Sequence, residues 1–284
     1  MSYLHDFASK SIFNEESLSD DEKFSVFYHS LFDYPLSFPE IIKWMSKNYG
    51  KTKDIEVVCK NGFYFIKGKQ GFIHKRQSRE RISKNKIKIA KKASKIISII
   101  PSIKMIGLTG SLAMNNAKDE DDIDLIVITK KGRLWSTRLL VYLILKITNH
   151  AIREPKDKIQ KNKLCLNMWI DESDLIWQAK DRNIYTAHEI LQVDPLFMRG
   201  DTFKKFINSN RWALKYWPNA VRNISYKNKF KDTKLIKLNV IENLIFKLQY
   251  TYMKDKITSE VITSTKAIFH PRKLSKQILS KIRS

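Results

Sequence analysis

Residues 107–129 read "GLTGSLAMNNAKDEDDIDLIVIT", and this stretch decides how the chain folds. Two apolar, strand-like pieces flank a Gly-Ser turn and an acidic run that ends in Asp-Ile-Asp. In "DIDLIVIT" side chains alternate between the two faces of a strand, which puts Asp122 and Asp124 on one face and turns Ile123 and Leu125 toward apolar packing. Carboxylates held that close repel, so a proton or a cation must offset them.

Oxygen ligands on a rigid strand suit Mg²⁺ (or Mn²⁺), which keeps several waters and takes the rest of its shell from substrate phosphates. Upstream, "LTGSLAM" places Gly110 and Ser111 at a tight bend entering a helix. Glycine lets the backbone approach a phosphate, and the Ser111 hydroxyl and following amides can donate to its oxygens. With ten residues from Ser111 to Asp122, donors for a phosphate tail and carboxylates for the metal form one site. Asp119, Glu120 and Asp121 fall in the loop between and add to the negative field without ligating.

A strand ending in Gly-Ser, a spacer of about ten residues and Asp-apolar-Asp on the next strand resembles the nucleotidyltransferase fold of the DNA polymerase β superfamily. Gly110, Ser111, Asp122 and Asp124 match that motif one by one. The match is good over 104–130, and the family's element order continues to about 171. The chain is also similar to prokaryotic proteins that carry such a domain after a winged-helix-like segment. The resemblance implies an α/β (α+β) fold with a mixed sheet. It implies Mg²⁺-dependent transfer of a nucleoside monophosphate from an NTP to a hydroxyl acceptor, with loss of pyrophosphate. Paired metals and in-line positioning are what such phosphoryl chemistry demands.

The family's third acid belongs on a later strand. Here that strand is "LCLNMWI", whose polar member is Asn167: its amide oxygen can ligate a metal but cannot act as a base. Asp171 and Glu189 are out of register, and Asp171 reads as cap chemistry. This departure keeps a second possibility open, a nucleic-acid-associated regulator or nucleotide sensor with a degenerate core. Arg133 and Arg138 bracket the start of the helix after the metal strand, where either can reach a triphosphate, although Arg138 can equally pair with an acid. Trp135 reads as core, as do Trp212, Tyr216 and Trp217. His188 and His270 lack metal-ligand spacing.

Outward from the motif, residues 1–20 are polar and expected to be flexible. Residues 21–80 read as a winged-helix-like module: a helix with Phe24, Phe27, Tyr28 and Leu31, a second from Ser37 with Pro39 early, and a third over 52–60. A hairpin follows, turning at 68–71 with Lys67, Lys69 and Gln70 at the wing tip. The nucleotidyltransferase core is expected over 81–180. Residues 181–284 read as a C-terminal helical region with a basic tail, including apolar spacing at Leu235, Leu238, Ile241, Leu244, Ile245, Leu248 and Tyr252. The module is open to two readings, docking on nucleic acid or plain packing.

The chain has 284 residues, 43% hydrophobic and 11% aromatic, enough for a large buried core. The apolar run at 139–147 is short and broken by Lys146, so it reads as a buried helix, and no membrane span is expected. Cys59 and Cys165 lie far apart in apolar surroundings and read as buried thiols; with no secretion signal, a reducing cytoplasm fits. The net charge is +24, unevenly placed. Residues 67–95 carry 12 Lys/Arg against one acid, and 222–284 carry 15 against 4, whereas 101–200 carry 15 against 13. The basic flanks fit either a nucleic-acid partner, including a nucleic-acid acceptor, or a solvated lysine-rich surface. Small hydroxylated molecules and protein side chains are equally open as acceptors. If the flanks grip nucleic acid, affinity for a labelled RNA or duplex, measured by fluorescence anisotropy, falls steeply with added salt; salt-insensitive or absent binding removes that partner.

Overall fold

The structure is a computed structural model that describes residues 18–47, 55–154, 157–221, 240–254, 260–269 and 272–283. Its contacts divide into two units: residues up to Arg76 with Tyr216–Ala220, and Gln77–Lys215 with residues from Val221 onward.

In the first unit, α1 (Asp20–Ser30) and α2 (Phe38–Lys43) both start at Ser-x-x-Glu boxes. The Glu22 carboxylate accepts from the Ser19 amide at 2.8 Å, and the Glu40 carboxylate accepts from the Ser37 amide at 2.8 Å. The expected frayed N-terminus thus gives way to a capped helix at Ser19, and residues 1–17 lie outside the described set. Strands β1 (Leu36–Ser37), β2 (Val57–Lys60) and β3 (Phe63–Ile66) form an antiparallel sheet in the order β1-β3-β2. Trp217 packs as expected, its ring 4.8 Å from Tyr28 and 6.0 Å from Trp44. His29 is sealed into the same cluster, donating from Nδ1–H to the Ser25 carbonyl at 2.8 Å, and burial lowers its pKa to about 4.

Two expectations for this unit need correcting. The third helix over 52–60 is strand from Val57 on, while 52–54 lie outside the described residues. The hairpin turns not at 68–71 but at Asn61-Gly62, both left-handed at φ 52° and 76°, the pairing that a two-residue type I′ turn demands. Gly68–Gly71 instead leads into α3 (Gly71–Ile97), so Lys67, Lys69 and Gln70 sit at a strand–helix joint rather than a wing tip.

The buried stripe of α3 contains Ile73, Arg76, Ser83, Lys86, Ala90, Ala93 and Ile97. Its period is helical, but Arg76, Ser83 and Lys86 are polar and partnered, and Ser94 beside them is buried with its hydroxyl unpaired. Arg76 grips Glu40 with both guanidinium nitrogens, at 2.7 and 2.9 Å, and lies over the Tyr34 and Phe63 rings. Burial alone would raise the Glu40 pKa, yet the Arg76 hydrogen bonds and charge outweigh it and hold the carboxyl at about 2. Ser83 Oγ accepts from the Ala117 amide at 3.1 Å. Lys86 Nζ, 1% exposed as a residue, donates to the carbonyls of Asp119 (3.0 Å) and Asp121 (2.6 Å) and to Asn162 Oδ1 (2.9 Å).

The second unit is built on a six-stranded mixed sheet. Its strands are β4 (Ile103–Leu108), β5 (Ile123–Thr129), β6 (Leu164–Asp171), β7 (Asp194–Met198), β8 (Val261–Ile262) and β9 (Lys266–Ile268), in the order β7-β4-β5-β6-β9-β8. β5 and β6 run parallel and the other neighbours antiparallel. A short α4 (Gly110–Ala113) follows β4, and α5 (Leu134–Ile147) makes the crossover from β5 to β6. Parallel neighbours buried on both faces require near-continuous apolar sequence, and every residue of β5 is buried except Asp124. Ile123, Leu125 and Val127 face the core made with Ile106, Leu108, Trp135, Leu166 and Trp169.

Residues 181–284 are not a separate helical region. Besides α6 (Ile184–Leu191), α7 (Thr202–Ser209), α8 (Val240–Met253) and α9 (Arg272–Arg283), they supply β7, β9 and β8 to the sheet. α8 divides its apolar residues: Ile245 and Phe246 turn to the core, whereas Ile241, Leu244, Leu248 and Tyr252 are exposed; Leu235 and Leu238 lie outside the described residues. Among the described residues no helix is long and apolar enough to cross a membrane. Lys86→Met retains the stem's packing but strips two backbone carbonyls and an amide oxygen of their donor; urea unfolding should show a loss of roughly 2–4 kcal/mol.

Candidate functional site

The acidic loop is held from below before it reaches the strand. Lys86 fastens the Asp119 and Asp121 carbonyls, and Arg79 donates to Asn116 Oδ1 at 3.0 Å. The Asp119 and Asp121 side chains are engaged locally. Asp119 pairs with Lys161 at 2.6 Å, and Asp121 Oδ2 accepts from the Lys118 amide (2.8 Å) and the Ser111 hydroxyl (3.3 Å).

Asp122 stands one residue ahead of β5 and Asp124 within it. A carboxylate oxygen of each and the Cys165 sulfur all lie within 4.8 Å of one another. Cys165 is the β6 partner of Asp124 in the parallel ladder, and the register then slips before Met168. The Gly-Ser bend abuts the same carboxylates. The Thr109 amide donates to the Asp124 carbonyl at 3.1 Å, and a Cβ on Gly110 would come 2.7 Å from Asp124 Oδ2. Gly110 also has φ +61°, a conformation that costs an L-residue about 1–2 kcal/mol. Both backbone angle and space therefore require glycine at this position.

Two groups offset the carboxylates. Arg153 Nη1 lies 2.6 Å from Asp122 Oδ2 and 3.6 Å from Cys165 Sγ. Asn167 Nδ2 donates to Asp124 Oδ1 at 2.6 Å. Asn167 thus meets the site through its nitrogen, correcting the expected oxygen ligation. Its Oδ1 is buried without a hydrogen-bond partner, on a residue 8% exposed. Burial pushes the Cys165 thiol above its usual range, and the Asp124 and Asp122 charges push it further. Its surroundings are therefore the polar site rather than an apolar core.

The expected arginines are elsewhere. Asp124 and Thr129 are five residues apart along β5, about 17 Å at about 3.3 Å a residue, and Arg133 follows Thr129 as the exposed residue ahead of α5. Arg138 belongs to α5: it donates to Gln249 Oε1 at 2.5 Å and stacks on Tyr142, fastening α8. Trp135 is fully buried, and Glu242 caps the start of α5 by accepting from its amide at 2.6 Å. Asp171 pairs in register with Thr129, at the far end from Asp124, and accepts from the Gly132 and Ser173 amides. His270 lies outside the described residues.

Glu189 does not join the carboxylates either. It lines a separate cavity with room for about one water (volume about 20 Å³) beside Ile126, Met168, Trp177, Tyr185, Val193 and Phe206, and neither Asp122 nor Asp124 is in its wall. Burial raises its pKa to about 7, opposed by the Gln192 amide that donates to it at 2.8 Å.

The donor set fits a divalent cation. It comprises two carboxylates, a thiol and an orphaned amide oxygen on the residue that touches Asp124, beside a glycine bend that lets the Asp124 carboxylate lie against the backbone. The chain matches no protein-family model, no curated protein and no solved structure.

Since Glu189 keeps its proton to about pH 7 when folded and only to the ordinary carboxyl value of 4.5 when unfolded, stability falls as pH rises through that window. Glu189→Gln should match the wild type near pH 4 and exceed it by about 2–3 kcal/mol at pH 8, read by denaturant titration at both pH values.

Proposed function

We propose that the second unit is a divalent-cation-dependent nucleotidyltransferase, moving a nucleoside monophosphate from an NTP to a hydroxyl acceptor and releasing pyrophosphate. The observation that carries this reading is the contact of the Gly110 bend with Asp124, which joins phosphate-binding backbone and metal-binding carboxylates in one place. Asp122 and Asp124 would hold the cation (Mg²⁺ or Mn²⁺). Such a cation neutralises phosphate oxygens and orients the α-phosphorus for in-line attack. Ser111 can give up its long hydrogen bond to Asp121 and donate to a phosphate oxygen instead. Arg153, released from Asp122, can pair with the triphosphate; Arg133 and Arg138 are dropped from that role.

A second reading rests on a separate observation. No carboxylate of β6 faces Asp124, where Cys165 and Asn167 stand instead, so that strand supplies no general base. A nucleotide-sensing protein with a degenerate core, associated with nucleic acid through the basic flanks, would need none.

Incubation with each labelled NTP, Mg²⁺ or Mn²⁺, and mixed RNA, small-molecule and protein acceptors separates the two. Transfer is expected in the wild type. In Asp122→Asn and Asp124→Asn it should fall by at least about a hundredfold, since residues that only orient metal ligands already cost 10–100-fold. Nucleotide binding without transfer under every condition sinks the enzyme and leaves the sensor.

A further inference from the structure

The cation reading above treats sulfur as a bystander, but the geometry does not. Cys165 is in ladder register with Asp124, and its Sγ closes the triangle of ligand atoms within 4.8 Å. One cationic group, the Arg153 guanidinium, touches both Asp122 Oδ2 and Cys165 Sγ, so thiol and carboxylate already share a counter-charge. A second observation points independently to a missing ligand. Asn167, 8% exposed, holds its amide against Asp124 while its Oδ1 has neither solvent nor partner. Buried oxygens of this kind are nearly always satisfied. Turning that amide over would bring the oxygen to a cation at Asp124 in exchange for the Nδ2 hydrogen bond, the cation offsetting the cost of the amide hydrogens left without an acceptor.

We infer that Cys165 is a third protein ligand, making Asp122, Asp124 and Cys165 a site for sulfur-tolerant divalent cations, Zn²⁺, Co²⁺ and Cd²⁺ ahead of Mg²⁺. The preference follows from ligand softness: thiolate selects zinc-like ions, whereas Mg²⁺ takes oxygen alone. Arg153 is the resident counter-charge that leaves when the cation enters, and the Cys165 thiol gives its proton to solvent as the sulfur ligates. This inference rests on the proposed metal role of the carboxylates and adds to it the ion class.

The test is spectroscopic and uses the full chain under a phosphine reductant. Cys59 and Cys165 are the two cysteines, so in Cys59→Ser a sulfur-to-metal charge-transfer band can come from Cys165 alone. Titration with Co²⁺ or Cd²⁺ should raise that band to saturation at one equivalent. Asp124→Asn should weaken the metal by about tenfold or more, and Cys165→Ser should abolish the band, with circular dichroism verifying the fold of each. Absence of the band in Cys59→Ser overturns the inference without relying on how Cys165→Ser folds. So does a band that Asp124→Asn leaves unchanged, since that is a thiol binding alone. If Mg²⁺ supports Asp122-dependent transfer while no sulfur band forms, thiol ligation falls and the transferase stands. If the band forms while no cation supports transfer, the thiol site stands and the transferase falls.

Discussion

Two carboxylates placed where their oxygens approach each other within a few ångströms repel, and that repulsion organises the surroundings of β5. The strand cannot relax it by turning one acid away, because slipping a residue would carry Ile123 and Leu125 out of the core. The apolar alternation therefore enforces an electrostatic cost, and the neighbours offset it: a guanidinium on Asp122 and an amide hydrogen on Asp124. Arg153 is exposed enough to leave, with 36% of its side chain in solvent, whereas Asn167 is fixed within β6. One offset can swing away into solvent, whereas the other stays beside the carboxylate on its strand.

The concentration of acids in a strongly basic chain has a related cause. Asp119 and Asp121 offer their backbone carbonyls to Lys86, and their side chains close the loop onto Lys161, Lys118 and Ser111. A buried lysine is tolerable only with several acceptors around it. α3 thus acts as a scaffold for the loop that delivers Asp122, and part of the basic run that reads as a nucleic-acid arm is structural. Arg76 and Lys86 are consumed inward, while Lys84, Lys88, Lys91, Lys92 and Lys95 remain exposed on the same helix.

What was legible in the sequence was local. Alternation in "DIDLIVIT" placed both aspartates on one face, and Ser-x-x-Glu marked two helix starts, because both patterns depend on neighbours a few residues apart. The Asn61-Gly62 turn was equally local and was missed in favour of the glycines at 68 and 71, although Asn-Gly is the stronger hairpin signal. Cys165, Arg153 and Lys86 were beyond reach for another reason. Cys165 acquires its role only from parallel register with a strand some forty residues earlier, and a cysteine in an apolar run otherwise reads as core. Arg153 sits in a loop tied to β6 through a single bridge at Ile152, with no pattern around it. Lys86 occupies a core position of α3, where the hydrophobic period lapses and a count of charges says surface. The strands β7 and β9 were absorbed into a helical reading because their pairing partners, β4 and β6, are distant in sequence.

The burial pattern also fixes the direction from which any ligand must come. Beyond Asp124 every residue of β5 is buried, and on the face shared by the aspartates the next side chain, Ile126, already lines the cavity with Glu189. The sheet is therefore sealed toward its Thr129 end. Ser111, Lys118 and Arg153 are all exposed around the other end, where the loop meets the strand. A phosphate entering there meets a hydroxyl and two cations before it reaches the carboxylates, so the approach is attractive to an anion even though the floor of the site is negative. A metal-free carboxylate floor would repel the same anion. On the proposed function, a cation would therefore have to arrive with the phosphate or before it, a coupling that follows from charge and access alone.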